Sequence, residues 1–283
     1  MIFRKWKVEM VKKKVDLHIH TNASDGSWGI ERLLEEIKDR KISIFSITDH
    51  DCIENVSKLL NKKINSNKVF VPGVEISTTL NNKEYHITAY CFDLDYKDLN
   101  LLLKFNRKVR KKFNRNIIRY FEDIYDKKFI NEYIDYKNDK NRGGWKSLNF
   151  LKDKELVKDL EDFFLKISDM KKGMIFTRPE EAIDIIHRAG GYTFLAHPAS
   201  YFNGELLDKE FLKEWLKYGI DGIEAYSPYL NKLKDADYYI DFCDNNNLMI
   251  SSGSDCHGNF IEERKVGKPE IYLSDIRIDE LIY

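Results

Sequence analysis

The chain has 283 residues, 42% of them hydrophobic, and 47 basic residues against 47 acidic. That length holds one large domain or one domain with an insertion, and the composition excludes a disordered chain. Zero net charge at a pI near 7 excludes a global field drawing the chain to nucleic acid or membrane.

The start, MIFRKWKVEMVKKK, has no apolar core and does not read as a signal peptide. Without a run of ~18 apolar residues, no membrane span is expected. Cys52, Cys91, Cys243 and Cys256 form no C-x-x-C pair and suit a reducing compartment. The expected location is the cytoplasm.

In chain order, seven short apolar runs read as buried strands: Val15–Ile19, Ile42–Ile47, Val69–Ile76, Tyr85–Phe92, Tyr192–Ala196, Gly222–Ala225 and Leu248–Ser252. Helices fit between them at Ile30–Asp39, Pro179–Ala189, Phe211–Lys217 and Lys232–Asn245. For the second, Thr177 with Glu180 reads as a capping box, and Gly190-Gly191 as the stop. This alternation predicts an α/β fold with a mainly parallel sheet, closed into a barrel whose chemistry gathers at the C-terminal rim.

The alternation breaks from about Leu101 to Met170. Phe105, Val109, Phe113, Ile117 and Phe121 recur every four residues, as on one face of a long helix. Eight Lys or Arg and no acid lie between Lys104 and Arg119. Residues 101–167 are therefore expected to form a helical insertion, with 14–100 and 168–283 forming the barrel. Those helices are expected to stand over the C-terminal rim.

Six of the seven histidines fall at or near predicted strand ends, in VDLHIH (His18, His20), ITDHD (His50), EYHITAY (His86), FLAHP (His197) and GSDCH (His257). His18 and His20 share a face, because strand side chains alternate with period two. Asp255 and His257 repeat that spacing, and Cys256 between them points away to pack. Asp25 sits in an Asp-Gly loop at the rim. Glu75 leaves an apolar strand and needs a partner, since an isolated buried carboxylate is costly. Within ITDHD neighbours point apart, so His50 is the ligand candidate. Asp49 and Asp51 are candidates to orient imidazoles, or to cap the next helix. Glu224 suits structural support of the rim, and His187, mid-helix, is left out. Six imidazoles with Asp25, Glu75 and Asp255 make nine donors, where one zinc takes about four. The count predicts two or three metals bridged by carboxylates.

Together, DLHIHTNASDG, ITDHD, GVEIS, EYHITAY, AHP and GSDCH resemble the motifs of the PHP (polymerase and histidinol phosphatase) family, in the style of its stand-alone bacterial phosphoesterases. The resemblance covers roughly residues 14–95 and 175–260. It implies a distorted seven-stranded (β/α)7 TIM-like barrel with up to three divalent metals. By that pattern His18, His20, Glu75 and Asp255 hold one metal; Glu75, His86 and His197 a second; and Asp25, His50 and His257 a third. The chain departs from the pattern at Asn141–Ser147, where related nucleotide phosphatases often carry a Gly-Arg-Pro-His-like segment.

Imidazole and carboxylate ligands without thiolate suit Mn, Fe or Zn. Such ions provide a bridging hydroxide near neutral pH, and no Ser or Cys nucleophile motif competes with attack by water. Arg142 and Lys146 flank a Gly-Gly turn and are expected to clamp phosphate, with Arg178 a weaker candidate. The expected substrate is a small phosphate ester, a nucleotide or short oligonucleotide. Long duplex is not expected, because a neutral protein gains little from counterion release. Trp145, Phe150 and Tyr136 could stack on a base. The competing readings are a metal-dependent amidohydrolase, a histidinol-phosphatase-like enzyme on a non-nucleotide ester, and a non-catalytic metal-bound module.

Overall fold

The computed structural model describes residues 13–62, 67–168, 170, 173–202 and 204–282. Most of the N-terminal segment read above for a leader lies outside them. The strands are β1 (Lys14–Asp16), β2 (Ile42–Ile47), β3 (Val69–Leu80), β4 (Lys83–Tyr90), β5 (Tyr192–Leu195), β6 (Gly222–Tyr226), β7 (Met249–Ser252) and β8 (Ile271–Tyr272). They form one sheet in the order β7-β6-β5-β4-β3-β2-β1-β8. At the far side β7 meets the chain just beyond β1. Leu17 N donates to Ser252 O at 3.0 Å, and Ile19 bridges Cys256, so the sheet closes nearly into a barrel. The eighth strand is a two-residue antiparallel partner of β1.

Two departures from the sequence reading have local causes. The first predicted strand stops at Asp16, because that carboxylate itself accepts from Ser254 N at 2.9 Å and Gly267 N at 2.7 Å. And β4 runs antiparallel to both β3 and β5. Asn81 and Asn82, with φ of 50° and 62°, make the two-residue turn that folds β4 straight back on β3. Reversal puts the first half of β4, with His86, at the rim where the parallel strands end.

The helices are α1 (Ile30–Asp39), α2 (Glu54–Leu60), α3 (Lys97–Tyr125), α4 (Ile130–Asp135), α5 (Lys146–Asp153), α6 (Leu160–Ile167), α7 (Pro179–Arg188), α8 (Lys209–Tyr218), α9 (Ala236–Asn246) and α10 (Asp279–Ile282). The capping box expected at α7 is not formed. Arg178, in extended backbone, is the N-cap and Pro179 opens the helix, while the carbonyl of Thr177 accepts from Thr79 N at 3.1 Å. Packed on the barrel, α7 buries Ala182, Ile183 and Ile186 against Val74, Ile76 and Ile87.

The helix α3 runs 29 residues. Its buried residues are Leu99, Leu102, Leu103, Asn106, Asn114, Ile117, Ile118, Phe121 and Glu122, the last accepting from Phe129 N and Ile130 N at the start of the next helix. The expected stripe at every fourth residue does not hold, since steps of four drift roughly 40° around a 3.6-residue helix. Phe105 is accordingly half exposed. Leu99, Leu102 and Leu103 belong to the barrel core, whereas Ile117, Ile118 and Phe121 join a separate apolar cluster with Tyr133, Phe150, Leu151 and Phe163. Among the described residues, no helix is long and apolar enough to cross a membrane.

Candidate metal centre

All nine donors singled out in the sequence converge on one rim, around Glu75. This side chain is fully buried. Its Oε2 lies 3.3 Å from His18 Nε2, 3.2 Å from His20 Nε2 and 3.0 Å from His50 Nδ1. Its Oε1 lies 2.9 Å from both His86 Nδ1 and His197 Nε2. Asp255 Oδ1 stands 3.0 Å from His20 Nε2 and 3.5 Å from His18 Nε2. Asp25 faces the other side of the cluster, 3.5 Å from His20 Nδ1, 3.7 Å from His50 Nε2 and 3.5 Å from His257 Nε2.

The donors fall into three overlapping groups: His18, His20, Glu75 and Asp255; His50, Glu75 and His86; and His20, Asp25, His50 and His257. The first matches the set implied by the family resemblance. In the second, His50 stands beside Glu75 and His86, with His197 close to Glu75 on the same side. In the third, the far nitrogen of His20 joins Asp25 and His257.

This arrangement fits divalent cations. Separations of 3.0–3.5 Å within the first group match the edge of a tetrahedron around an ion bound at zinc distances, roughly 3.4 Å. The Nδ1 atoms of His20, His50 and His86 and the Oε2 of Glu75 are buried with no hydrogen-bond partner. Their neighbours are near enough but out of alignment, as expected of lone pairs aimed at a common third point rather than at each other. Buried polar atoms otherwise find partners.

Charge follows the same geometry. Burial alone would raise the Glu75 carboxyl, but the imidazoles of His50, His86 and His18 outweigh it and hold it well below the usual range. Asp25 and Asp255 are held low in the same way, against burial, chiefly by His257. Burial would lower His20 and His86, but Asp255 and Glu75 raise the first to about 10, and Glu75 with Glu84 the second to about 10. At His50 burial prevails and lowers it to about 3. Without a cation, this site is a mesh of carboxylates and shared protons.

Close backbone approach assembles it. A Cβ on Gly253 would stand 2.0 Å from the Cβ of His18, so only glycine lets the chain leaving β7 pack on His18. Asp51, His197 and Asp255 adopt left-handed backbone, with φ of 49°, 29° and 47°. Such strain in non-glycine residues concentrates at functional sites.

The imidazoles are oriented by residues other than those expected. His18 Nδ1 bonds Glu224 at 2.7 Å, His86 Nε2 bonds Glu84 at 2.9 Å, and His197 Nδ1 bonds Ser200 Oγ at 2.8 Å. Asp49 touches no imidazole. It accepts from Thr21 N at 2.8 Å, Thr21 Oγ1 at 2.6 Å and Ser24 Oγ at 2.6 Å, fixing the loop that carries Asp25. Asp51 accepts from Asn106 Nδ2 at 2.7 Å and Ser77 N at 3.2 Å. Arg110 of α3 reaches Glu84 at 3.2 Å, tying the long helix to His86 through that carboxylate. Glu84 lies two residues before His86 on one strand, so the alternation that paired His18 with His20 could have found it.

Arg142 and Lys146 do not join the cluster. Arg142 Nη1 donates to both oxygens of Asp153, at 2.7 and 2.9 Å, and Lys146 donates to Ile134 O at 3.0 Å. Arg178 pairs with Glu180. Phe150 is buried in the helical cluster, and Tyr136 bonds Asp153 at 2.6 Å. His187 stays outside, paired with Asp221 at 2.8 Å. The open cleft beside the donors, about 290 Å³, is lined by His50, Glu75, His86, His197, Asp255 and His257, and also by Glu84, Ser200, Tyr201, Tyr229 and Arg264. Sequence gave no signal for Tyr229 or Arg264, which lie in loops outside the histidine motifs.

Comparison with known proteins gives the same frame. The chain is 26% identical over 261 residues to the 3′,5′-nucleoside bisphosphate phosphatase of Chromobacterium violaceum, covering 90% of this chain and 91% of that one. It is 29% identical over 196 residues to the 5′-3′ exoribonuclease Rnm of Escherichia coli, covering 66% of each. A solved structure of an amidohydrolase from Chromobacterium violaceum with bound sulfate superposes with a TM-score of 0.73 at 25% identity, covering 86% of this chain and 87% of that one. The PHP domain family model matches residues 16–175, more than half of the sequence and the stretch holding six of the nine converging donors; the chain belongs to the PHP domain family.

Proposed function

We propose that this chain is a metal-dependent phosphoric ester hydrolase that acts on nucleotides or short oligonucleotides. The observation that carries the reading is the Glu75 carboxylate, facing five imidazoles, three of which (His20, His50 and His86) hold a buried nitrogen with no hydrogen-bond partner. His18, His20, Glu75 and Asp255 are assigned to one ion, Glu75, His86 and His197 to a second, and Asp25, His50 and His257 to a third, with Mn, Fe or Zn the metals that suit imidazole and carboxylate. Such ions, when bound, lower the pKa of water and neutralise phosphoryl oxygens.

The chain's own residues do the remaining work. Glu224, Glu84 and Ser200 fix the three rings they bond, so each imidazole presents one nitrogen to the cluster. The Tyr229 hydroxyl is kept protonated, because burial and the Asp255 charge push it well above the usual tyrosine value. Residues 101–167 serve as a cap that narrows access to the rim. Supporting this, Gly144 N donates to Asp25 O at 2.7 Å, and Asn22 bonds Asn141 at 3.2 Å. Trp145, packed against Phe260 beside His257, is the remaining aromatic suited to a base. A neutral chain suits short ligands in the cytoplasm better than long duplex.

The test is phosphate release from mononucleotides, 3′,5′-bisphosphonucleotides and short 5′-labelled RNAs with Mn added, beside histidinol phosphate and amide substrates. Turnover of nucleotides or short RNAs is expected to lead. Faster turnover of histidinol phosphate would leave only the ester-hydrolase class standing, and faster amide cleavage would favour the amidohydrolase reading.

A further inference from the structure

A charged donor beside the metals strengthens the hold on a phosphate ester, and the two arginines nearest the insertion turn and α7 are already paired with carboxylates. Among the described residues lining the cleft, Arg264 is the one Lys or Arg. Its Nη1 donates to Asp255 Oδ2 at 2.6 Å, and the Tyr229 hydroxyl donates to the same oxygen at 2.5 Å. The other oxygen of Asp255 is the one that faces His18 and His20. The guanidinium lies over the Tyr229 ring, 4.6 Å from its centre, which restricts its rotation. Its side chain is 24% exposed, whereas that of Asp255 is 4% exposed. A guanidinium has five N–H donors in a rigid fork, and one is used here within the described chain.

We propose that Arg264 is the phosphoryl-binding arginine of this cleft. Nη1 stays on Asp255 while the remaining N–H edge takes a non-bridging oxygen of the substrate phosphate. The ester is then held against the carboxylate that also faces His18 and His20, so one loop sets both the donor cluster and the substrate register. Arginine suits this role because its planar fork holds two acceptors in fixed directions, which the rotatable ammonium of lysine does not. The inference rests on the phosphoesterase reading above.

The experiment uses the full-length, Mn-loaded chain and inorganic phosphate as the probe. Phosphate affinity is measured by calorimetry and by competitive inhibition, and metal content by elemental analysis, for wild type, R264A, R264Q and R264K. Arg264→Gln keeps a donor for Asp255 but removes the charge. R264A and R264Q are expected to keep wild-type metal content, to weaken phosphate binding roughly ten- to a hundredfold and to raise KM, the scale of a lost charge-assisted hydrogen bond. R264K is expected to recover part of the loss. Unchanged phosphate affinity in R264Q overturns the proposal. So does metal loss in R264A that R264Q restores along with full phosphate affinity, because Arg264 would then be only a strut for Asp255. Failure of the wild type itself to bind phosphate or to hydrolyse any ester would instead sink the phosphoesterase reading, and is told apart by that control.

Discussion

At the scale of single residues, Glu75 concentrates the chemistry, because one carboxylate meets five imidazoles at 2.9–3.3 Å. Glu75→Gln removes the charge that balances them. It is expected to cost at least one metal per chain by elemental analysis, with the circular dichroism of the barrel retained. Full metal content in that variant would contradict the central role given to Glu75. Glu224→Gln tests the next layer: His18 loses its charged partner at 2.7 Å, and metal affinity should fall roughly ten- to a hundredfold in a chelator competition. The protonation pattern gives a pH dependence with a definite sign. In the metal-free chain His20 and His86 are both raised to about 10, so they carry protons at pH 7, whereas His50, lowered to about 3, carries none. Metal must displace protons from the first two, so uptake weakens as pH falls and releases protons at pH 7. Calorimetry in buffers of different ionisation enthalpy reads that release directly. An apparent binding enthalpy independent of buffer would show that none occurs.

At the scale of elements, α3 is the informative case. Its buried face is mostly apolar toward both ends and polar in the middle, where Asn106 bonds Asp51 and Ser77, and Arg110 meets Glu84 beside His86. Periodicity in apolar residues alone could not show this, because the residues that bring the helix to the rim are polar. Arg110→Met leaves the buried Asp51 and the partly buried Glu84 without their shared cation. Urea unfolding should show a loss of roughly 1.5–3 kcal/mol, the scale of hydrogen bonds to charged groups. No change in the unfolding midpoint would mean that the network is solvated and idle. The strand-level lesson is different. The Asn81-Asn82 dipeptide was in plain view as a hairpin signal, but Val69–Ile76 and Tyr85–Phe92 read equally well as two parallel strands until their pairing is known.

At the scale of the whole molecule, the site is a buried excess of titratable groups at the mouth of an otherwise apolar barrel, so cations should bind the folded chain far better than the unfolded one. Adding Mn to a hundred times its dissociation constant should stabilise by about 2.7 kcal/mol per site. For a chain of this size that is a rise of roughly 4 °C in Tm by calorimetry. The shift should shrink in Asp255→Ala, whose barrel stays folded while its first donor group is broken. Equal shifts in both proteins would place the stabilising ion elsewhere.

The sequence by itself determined the barrel class and the nine converging donors. Strand ends are local features, period two puts His18 with His20 and Asp255 with His257, and histidine beside carboxylate at that many strand ends has few other uses. Only the tertiary structure decided the direction of β4, the neighbours of each donor and the supporting cast. Arg142, at a Gly-Gly turn, had the sequence look of a phosphate clamp, yet Asp153 lies eleven residues on and takes its guanidinium. Arg264 stands in an acidic-basic run nine residues after Asp255, yet it meets that carboxylate in the cleft, stacked on Tyr229 from the loop after β6. Spacing along a chain fixes which face a side chain takes within its own element. Which oxygen it meets depends on loop conformation, as for Arg142 and Arg264, or on contacts between segments far apart in sequence, as for His18 with Glu224 and His197 with Glu75, and those are set by how the sheet closes.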